Sequence, residues 1–325
     1  MTAKNALTSR KNPLGTTIIA VVIFVAIYVL LNFMTHGDFL KGSNLVHLLS
    51  NSVKTSFMAL VFCFLITMGI MDLSVGAIII LASNLAGELA VNFNLGYIGL
   101  VGGAIVISVA LIMLNMSLMM LTKIPPWIFG LGMSMVYEAI ATVYNQAKIA
   151  GPAHQSVSLG EQFRELGSPP YNFIVLGIGL VAAYILYNRT SVGFSIRAVG
   201  SNKVVSKLMG ISITKTTIFA GLIAGCFAGI AAAVDMSYAG RVTPVAGLSS
   251  IATIFTPLAA FLLSQAFEKI FNITVAVIIS AFIITSISNV LVLLGVPSEY
   301  SSAVYGGCVL ICGVLSQRKQ EGVVK

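Results

Sequence analysis

The sequence predicts an all-α polytopic membrane protein of about ten transmembrane helices. Three observations carry that reading. Hydrophobic residues fill 58% of the 325 positions and charged residues only 9%; a soluble domain carries about 25% charged residues. Apolar runs long enough to cross a bilayer, about 20 residues each, recur along the chain. Basic residues collect in alternate loops, as the positive-inside rule requires. The formal net charge of +8 therefore marks cytoplasmic loops of a membrane protein and gives no reason to expect a nucleic-acid partner.

The elements follow in order. Lys4, Arg10 and Lys11 precede the first apolar run. That run is long for a signal-peptide core, and "NFMTHGDFL" offers no small-residue cleavage site, so it reads as a retained span. Spans are predicted at 15–33, 51–70, 73–91, 96–118, 124–144, 171–187, 214–235, 248–264, 272–294 and 298–316. Residues 1–14 and 317–325 form tails, and 15–316 reads as a single membrane domain. With the N-terminus inside, 13 of the 18 basic residues fall on inner segments, among them Lys123, Arg189, Arg197, Lys203, Lys207, Lys215, Lys269, Arg318, Lys319 and Lys325. The outer loops hold Lys41, Lys148, Arg164 and Arg241, and Lys54 lies at an outer span end from which it can snorkel. Both termini come out cytoplasmic.

Two loops are long. The outer one, about 145–170, is polar and ends in Pro169 and Pro170. The inner one, about 188–213, holds basic residues and no acid. Within it "SNKVVSKLMGISI" reads as a short amphipathic helix. Ser201 or Asn202 suits its start and Gly210 its end. Val204, Val205, Leu208 and Met209 form an apolar patch beside Lys203 and Lys207. An exposed apolar patch calls for a partner; a helix lying on anionic headgroups is the plainer alternative.

"MDLSVG" follows the second span and "VDMSYAG" closes the seventh, so Asp72 and Asp235 occupy equivalent junctions five spans apart. An odd number of spans turns the second copy over, the mark of an inverted five-plus-five repeat. Gly221, Gly225 and Gly229 share one face of the seventh span; packing inside one bundle is preferred to dimerisation.

No catalytic motif is present. Cys63, Cys226, Cys308 and Cys312 lie in apolar runs and read as core residues, with no metal site. The chain has no phosphate-binding loop, so any ATP must be used elsewhere. Polar residues inside spans are the default functional suspects: Asp72, Asn84, Glu88, Asn115 and Glu138. Each has a plainer reading as a span-end residue or an interhelical hydrogen bond. Asp72 is placed at a cytoplasmic turn, where a cap and a gate both remain open.

These motifs together resemble the permease subunits of bacterial ATP-binding-cassette importers of the ribose, galactose, xylose and autoinducer-2 type. "MDLSVG" (71–76) looks like the family's acid-Leu-Ser-Val-Gly turn, and "KIPPWIFGLGMSMVYEAIA" (123–141) like its IPPF segment. "GFSIRAVGSNKVVSKLMGISI" (193–213) looks like its coupling loop, and "VDMSYAGRVTPVAG" (234–247) like its outer loop after the seventh span. The likeness covers about residues 15 to 316. It implies a multi-pass protein of the bacterial cytoplasmic membrane that forms the pathway for a small polar solute, a monosaccharide or related furanose. It implies separate ATPase subunits that use the ATP, an extracytoplasmic solute-binding protein and a second permease, and no cofactor on this chain. Asp72, Ser74, Gly76, Asn84, Asn115, Glu138 and Asp235 become pathway or gate candidates. Arg197, Gly200, Asn202, Lys203, Val205, Leu208, Met209 and Gly210 become ATPase-coupling candidates.

The chain departs from the family at "TIFTPLAAFLLSQAFEKIFN" (253–272), where a glycine-rich stretch is usual and no glycine occurs. That points to a diverged half of a heterodimer. An ion-coupled secondary transporter with an inverted repeat is the alternative. It would need no docking helix and should show a pair of carboxylates near mid-membrane.

Overall fold

The computed structural model describes residues 28–150, 158–268 and 270–317. Most of the predicted first span, and almost all of both tails, lie outside the described residues. Every regular element among the described residues is helical, the outcome expected where lipid offers the backbone no hydrogen-bond partner. Residues 28–34 form α1. It is followed by α2 (Gly42–Thr67), α3 (Val75–Val91), α4 (Gly103–Thr122, entered through a wider turn over Ile98–Gly102), α5 (Pro126–Ala150) and α6 (Tyr171–Asn188). Then come α7 (Ser191–Ser201), α8 (Lys203–Leu208), α9 (Ile213–Ala239), α10 (Ser249–Phe267), α11 (Ile273–Leu293) and α12 (Ser298–Gln317). Among the described residues seven helices are long and apolar enough to cross a membrane; α3 and part of α12 are shorter apolar helices.

Three boundaries differ from expectation. α2 starts at Gly42, not 51, so Lys54 lies three turns inside the helix and not at its end. The helix runs about 39 Å, past the ~30 Å hydrocarbon core, and the polar stretch "GSNLVHLLSN" hides this from a search for apolar runs. α5 continues to Ala150, which shortens the predicted outer loop. The inner loop holds two helices in place of one. Thr190 caps the start of α7 by accepting from Gly193 N–H, and Asn202 caps α8 by accepting from Val204 and Val205 N–H, both at 3.0 Å. Gly210, at φ +83°, ends the unit in a conformation that favours glycine.

The packing repeats. α4 lies against α9 as α11 lies against α2. α3 meets α9 as α10 meets α2, and α3 packs on α4 and α5 as α10 packs on α11 and α12. The starts of α2, α3, α4 and α5 recur 171, 174, 170 and 172 positions later as those of α9, α10, α11 and α12. The "MDLSVG"/"VDMSYAG" echo is spaced at 163 and does not share this register: Asp235 lies within α9, not at the break before α10. The glycine face of α9 packs inside the bundle, against α4. A Cβ on Gly225 would come 2.7 Å from the Val109 Cα, and one on Gly221 3.0 Å from Met116. Close approach, not dimerisation, accounts for that stripe.

Candidate functional site

Two breaks in the helical run bring polar groups into the bundle. The first is residues 68–74, between α2 and α3. Gly69 turns the chain at φ +82°, and the non-helical stretch that follows carries Asp72 to full burial. The cytoplasmic turn predicted for Asp72 is thus drawn inside. A buried carboxylate needs donors, and Asp72 has three. Its Oδ1 accepts from the Ser74 N–H (2.8 Å) and the Ser74 hydroxyl (2.7 Å), and its Oδ2 accepts from Asn115 Nδ2 of α4 (3.0 Å). Asn115 also donates to Ser74 Oγ (2.7 Å), and its Oδ1 accepts from the Tyr137 hydroxyl of α5 (2.7 Å). Gly130 of α5 leaves the space for this: a Cβ there would lie 2.5 Å from Leu73 N and 2.6 Å from Asp72 Oδ1.

The second break is residues 240–248, between α9 and α10. Leu248 holds a left-handed conformation, φ +65°, and no side chain of its own segment caps α10. Glu138, from α5, does so instead. It is 3% exposed, and its two oxygens accept from Leu248 N–H (2.7 Å) and Ser250 N–H (2.6 Å). The orphan donors and the positive end of α10 are thus met by one carboxylate.

The two breaks meet. A Cβ on Gly76, in the first turn of α3, would lie 2.5 Å from the Ser250 carbonyl oxygen in the first turn of α10. Gly76 is there because nothing larger fits. Of the predicted pathway residues, Asp72, Ser74 and Asn115 form one network, and Gly76 and Glu138 hold α10 against it. Asn84 stands apart, buried and donating to Ile80 O in its own helix at 2.8 Å. Glu88 pairs with Lys148 of α5. Asp235 pairs with Lys54 at 2.8 Å. Tyr137 and Lys54 were not among the predicted pathway residues. A single polar group in a span is a weak signal when its partner is on a distant helix.

The coupling candidates lie where α2 ends. Gly200 of α7 packs on the Thr67 carbonyl at the close of α2, and the Arg197 guanidinium lies 5.1 Å from the centre of the Tyr187 ring. Val205, Leu208 and Met209 are exposed, Leu208 at 83%, with Lys203 beside them. Asn202 and Gly210 bound the helix that presents them.

The model for the family described as "Branched-chain amino acid transport system / permease component" matches residues 44–313. The ribose import permease protein of Escherichia coli (strain K12) is 25% identical over 312 residues, 94% of this chain and 94% of that protein. The ribose import permease protein of Bacillus subtilis (strain 168) is 28% identical over 307 residues, 91% and 92% of the two chains. The D-allose transport system permease protein of E. coli (strain K12) is 26% identical over 306 residues, 93% and 90%. No solved structure matches.

Proposed function

This chain belongs to the family of permease components of the branched-chain amino acid transport system type, and on that premise we propose that it is the membrane-spanning subunit of an ATP-binding-cassette importer for a monosaccharide. It is a transport subunit, not an enzyme, of a multi-pass inner-membrane protein family. The choice of sugar over amino acid rests on relatives matched nearly end to end, whose names specify ribose and D-allose; further relatives are named for L-arabinose and fructose. One feature agrees with an uncharged solute. Both interior helix starts already have a carboxylate, so neither offers its positive end to an anion or to the acid group of an amino acid.

The membrane arrangement is ten spans in two inverted halves with both termini cytoplasmic. The repeated packing of α2–α5 and α9–α12 supports the halves, and the basic asymmetry supports the orientation. Asp72, Ser74, Asn115, Gly76 and Glu138 hold the interior breaks on which switching between outward- and inward-facing states turns. ATP is used by partner ATPase subunits that dock on α7 and α8. A solute-binding protein delivers the sugar, and a second permease copy, identical or diverged, completes the pathway. An ion-coupled mechanism has no support among the relatives; Asp72 and Glu138 are consumed at helix starts, and Glu88 and Asp235 are paired with Lys148 and Lys54.

The observation that carries the reading is α8: a capped helix, apolar and exposed, held on α7, whose Gly200 packs on the end of α2. Replacing Leu208 with Asp places an unpaired charge at the docking contact. ATPase copurification and ATP-dependent uptake of D-ribose, D-allose, L-arabinose or D-fructose are expected to fall at least tenfold, roughly the effect of losing one interface hot spot, with normal membrane insertion. Uptake that survives ATP depletion and collapses with an ionophore would point to the secondary transporter.

A further inference from the structure

A crevice of about 340 Å³ opens between the middle of α2, the first turns of α10, the last turns of α11, and α12. That volume falls within the ~300–1,000 Å³ usual for small-molecule sites. Its walls set polar side chains among apolar ones such as Met58, Pro257 and Val292. Asn51, Lys54 and Thr55 line it from α2, Thr253 and Thr256 from α10, and Thr285 and Ser288 from α11. Each set recurs at the three- or four-residue spacing of one helix face. The Thr285 hydroxyl is buried and has no hydrogen-bond partner, a cost that a ligand hydroxyl would remove. Asn44 and Asn289 close the rim by exchanging two amide hydrogen bonds of 2.9 Å. Among the described residues Lys54 is the only charged group in the lining, and Asp235 reaches it from α9 at 2.8 Å.

We propose that this crevice is the solute-recognition surface of the chain, and that the Lys54–Asp235 pair holds it electrically neutral so that it takes uncharged polyhydroxylated solutes and gives no advantage to their phosphorylated forms. The proposal rests on the importer reading. Hydroxyls and amides donate to and accept from sugar hydroxyls in any rotation, whereas an unpaired lysine would draw anions. The "TIFTPLAAF" stretch that departs from the family supplies Thr253 and Thr256.

The test uses the whole transporter in intact cells, with the four native cysteines replaced by alanine and Ser288→Cys as reporter. Two methanethiosulfonates of similar size are applied outside, one carrying trimethylammonium and one sulfonate. Asp235→Asn should raise the ratio of anionic to cationic reaction at position 288 about tenfold. Adding Lys54→Gln should return it to the starting ratio, because neutrality is restored. Lys54→Gln alone leaves the acid and should shift the ratio the other way, which provides the same reading if Asp235→Asn does not reach the membrane. D-ribose, D-allose, L-arabinose or D-fructose, whichever the transporter imports, should slow labelling. A ratio indifferent to both substitutions overturns the charge claim. An unreactive position 288, or labelling untouched by an imported sugar, overturns the crevice as the solute surface. Import of none of the four sugars counts against the importer reading instead; the charge comparison is independent of the solute.

Discussion

The start of α3 and the start of α10 face each other across Gly76 and Ser250, yet they are held by opposite means. At α3 the acid is local: Asp72 accepts from Ser74, two residues on, and Asn115 and Tyr137 complete a network wholly within the first half of the chain. At α10 the acid is remote: Glu138 lies 110 positions before the Leu248 N–H it accepts from, in the other half. A break satisfied by its own half keeps its shape when the halves shift. A break satisfied from across the interface feels that shift directly. The second break also adjoins the polar crevice, through Thr253 and Thr256, whereas the corresponding space in the first half is filled by the Asp72 network. On the proposed reading, one half is the fixed support and the other presents the surface that changes.

The largest expected effect is on the fixed side. Asp72→Ala removes an acceptor from three donors and leaves Asn115 with only Ser74 and Tyr137 as partners in the bundle interior. A loss of about 3 kcal/mol of stability is expected, read as a sharp fall in folded protein recovered from the membrane. Asp72→Asn should fall between alanine and the wild type. Its carbonyl can still accept from Ser74, but its amide nitrogen would face Asn115 Nδ2, donor against donor. An asparagine variant as stable as the wild type would mean that Asp72 acts as a simple cap and that the network adds nothing.

Glu138→Ala should cost less, about 2 kcal/mol, because the freed Leu248 and Ser250 N–H groups can partly regain bonds through water entering the break. Its signature is functional: sugar uptake per folded complex should drop more steeply than stability. If Glu138→Ala loses stability and keeps uptake, the second break is as static as the first. Tyr137→Phe, which deletes only the hydroxyl that donates to Asn115, should cost about 1 kcal/mol and leave uptake per folded complex unchanged. A transport defect there would extend the moving part into the first half.

Much of the first break was legible in the sequence. An acid, a serine and an asparagine inside apolar runs stand out because lipid makes them costly. Their mutual contacts were not legible, because Asp72 and Asn115 are 43 positions apart and each partner is chosen by helix packing. Tyr137 and Glu138 show the limit well. They are neighbours in the chain, but successive residues on a helix point about 100° apart, so one turns to Asn115 and the other to α10. Lys54 was taken for an interfacial residue because the polar start of α2 masked the true beginning of that helix. The repeat was visible as an echo, but in the wrong register, since two short strings can match while the helices themselves repeat near 172 positions. The polar stripes on α2, α10 and α11 carried a usable signal, a spacing of three and four within apolar helices.

Hydrogen exchange, read by mass spectrometry on the detergent-purified chain, tests the contrast between the two breaks most directly. In Glu138→Ala, amides at 248–252 should lose protection while those at 74–78 keep theirs, and in Asp72→Ala the pattern should reverse. Loss of protection at both segments in either variant, or at neither in both, would contradict the account of two separately held helix starts.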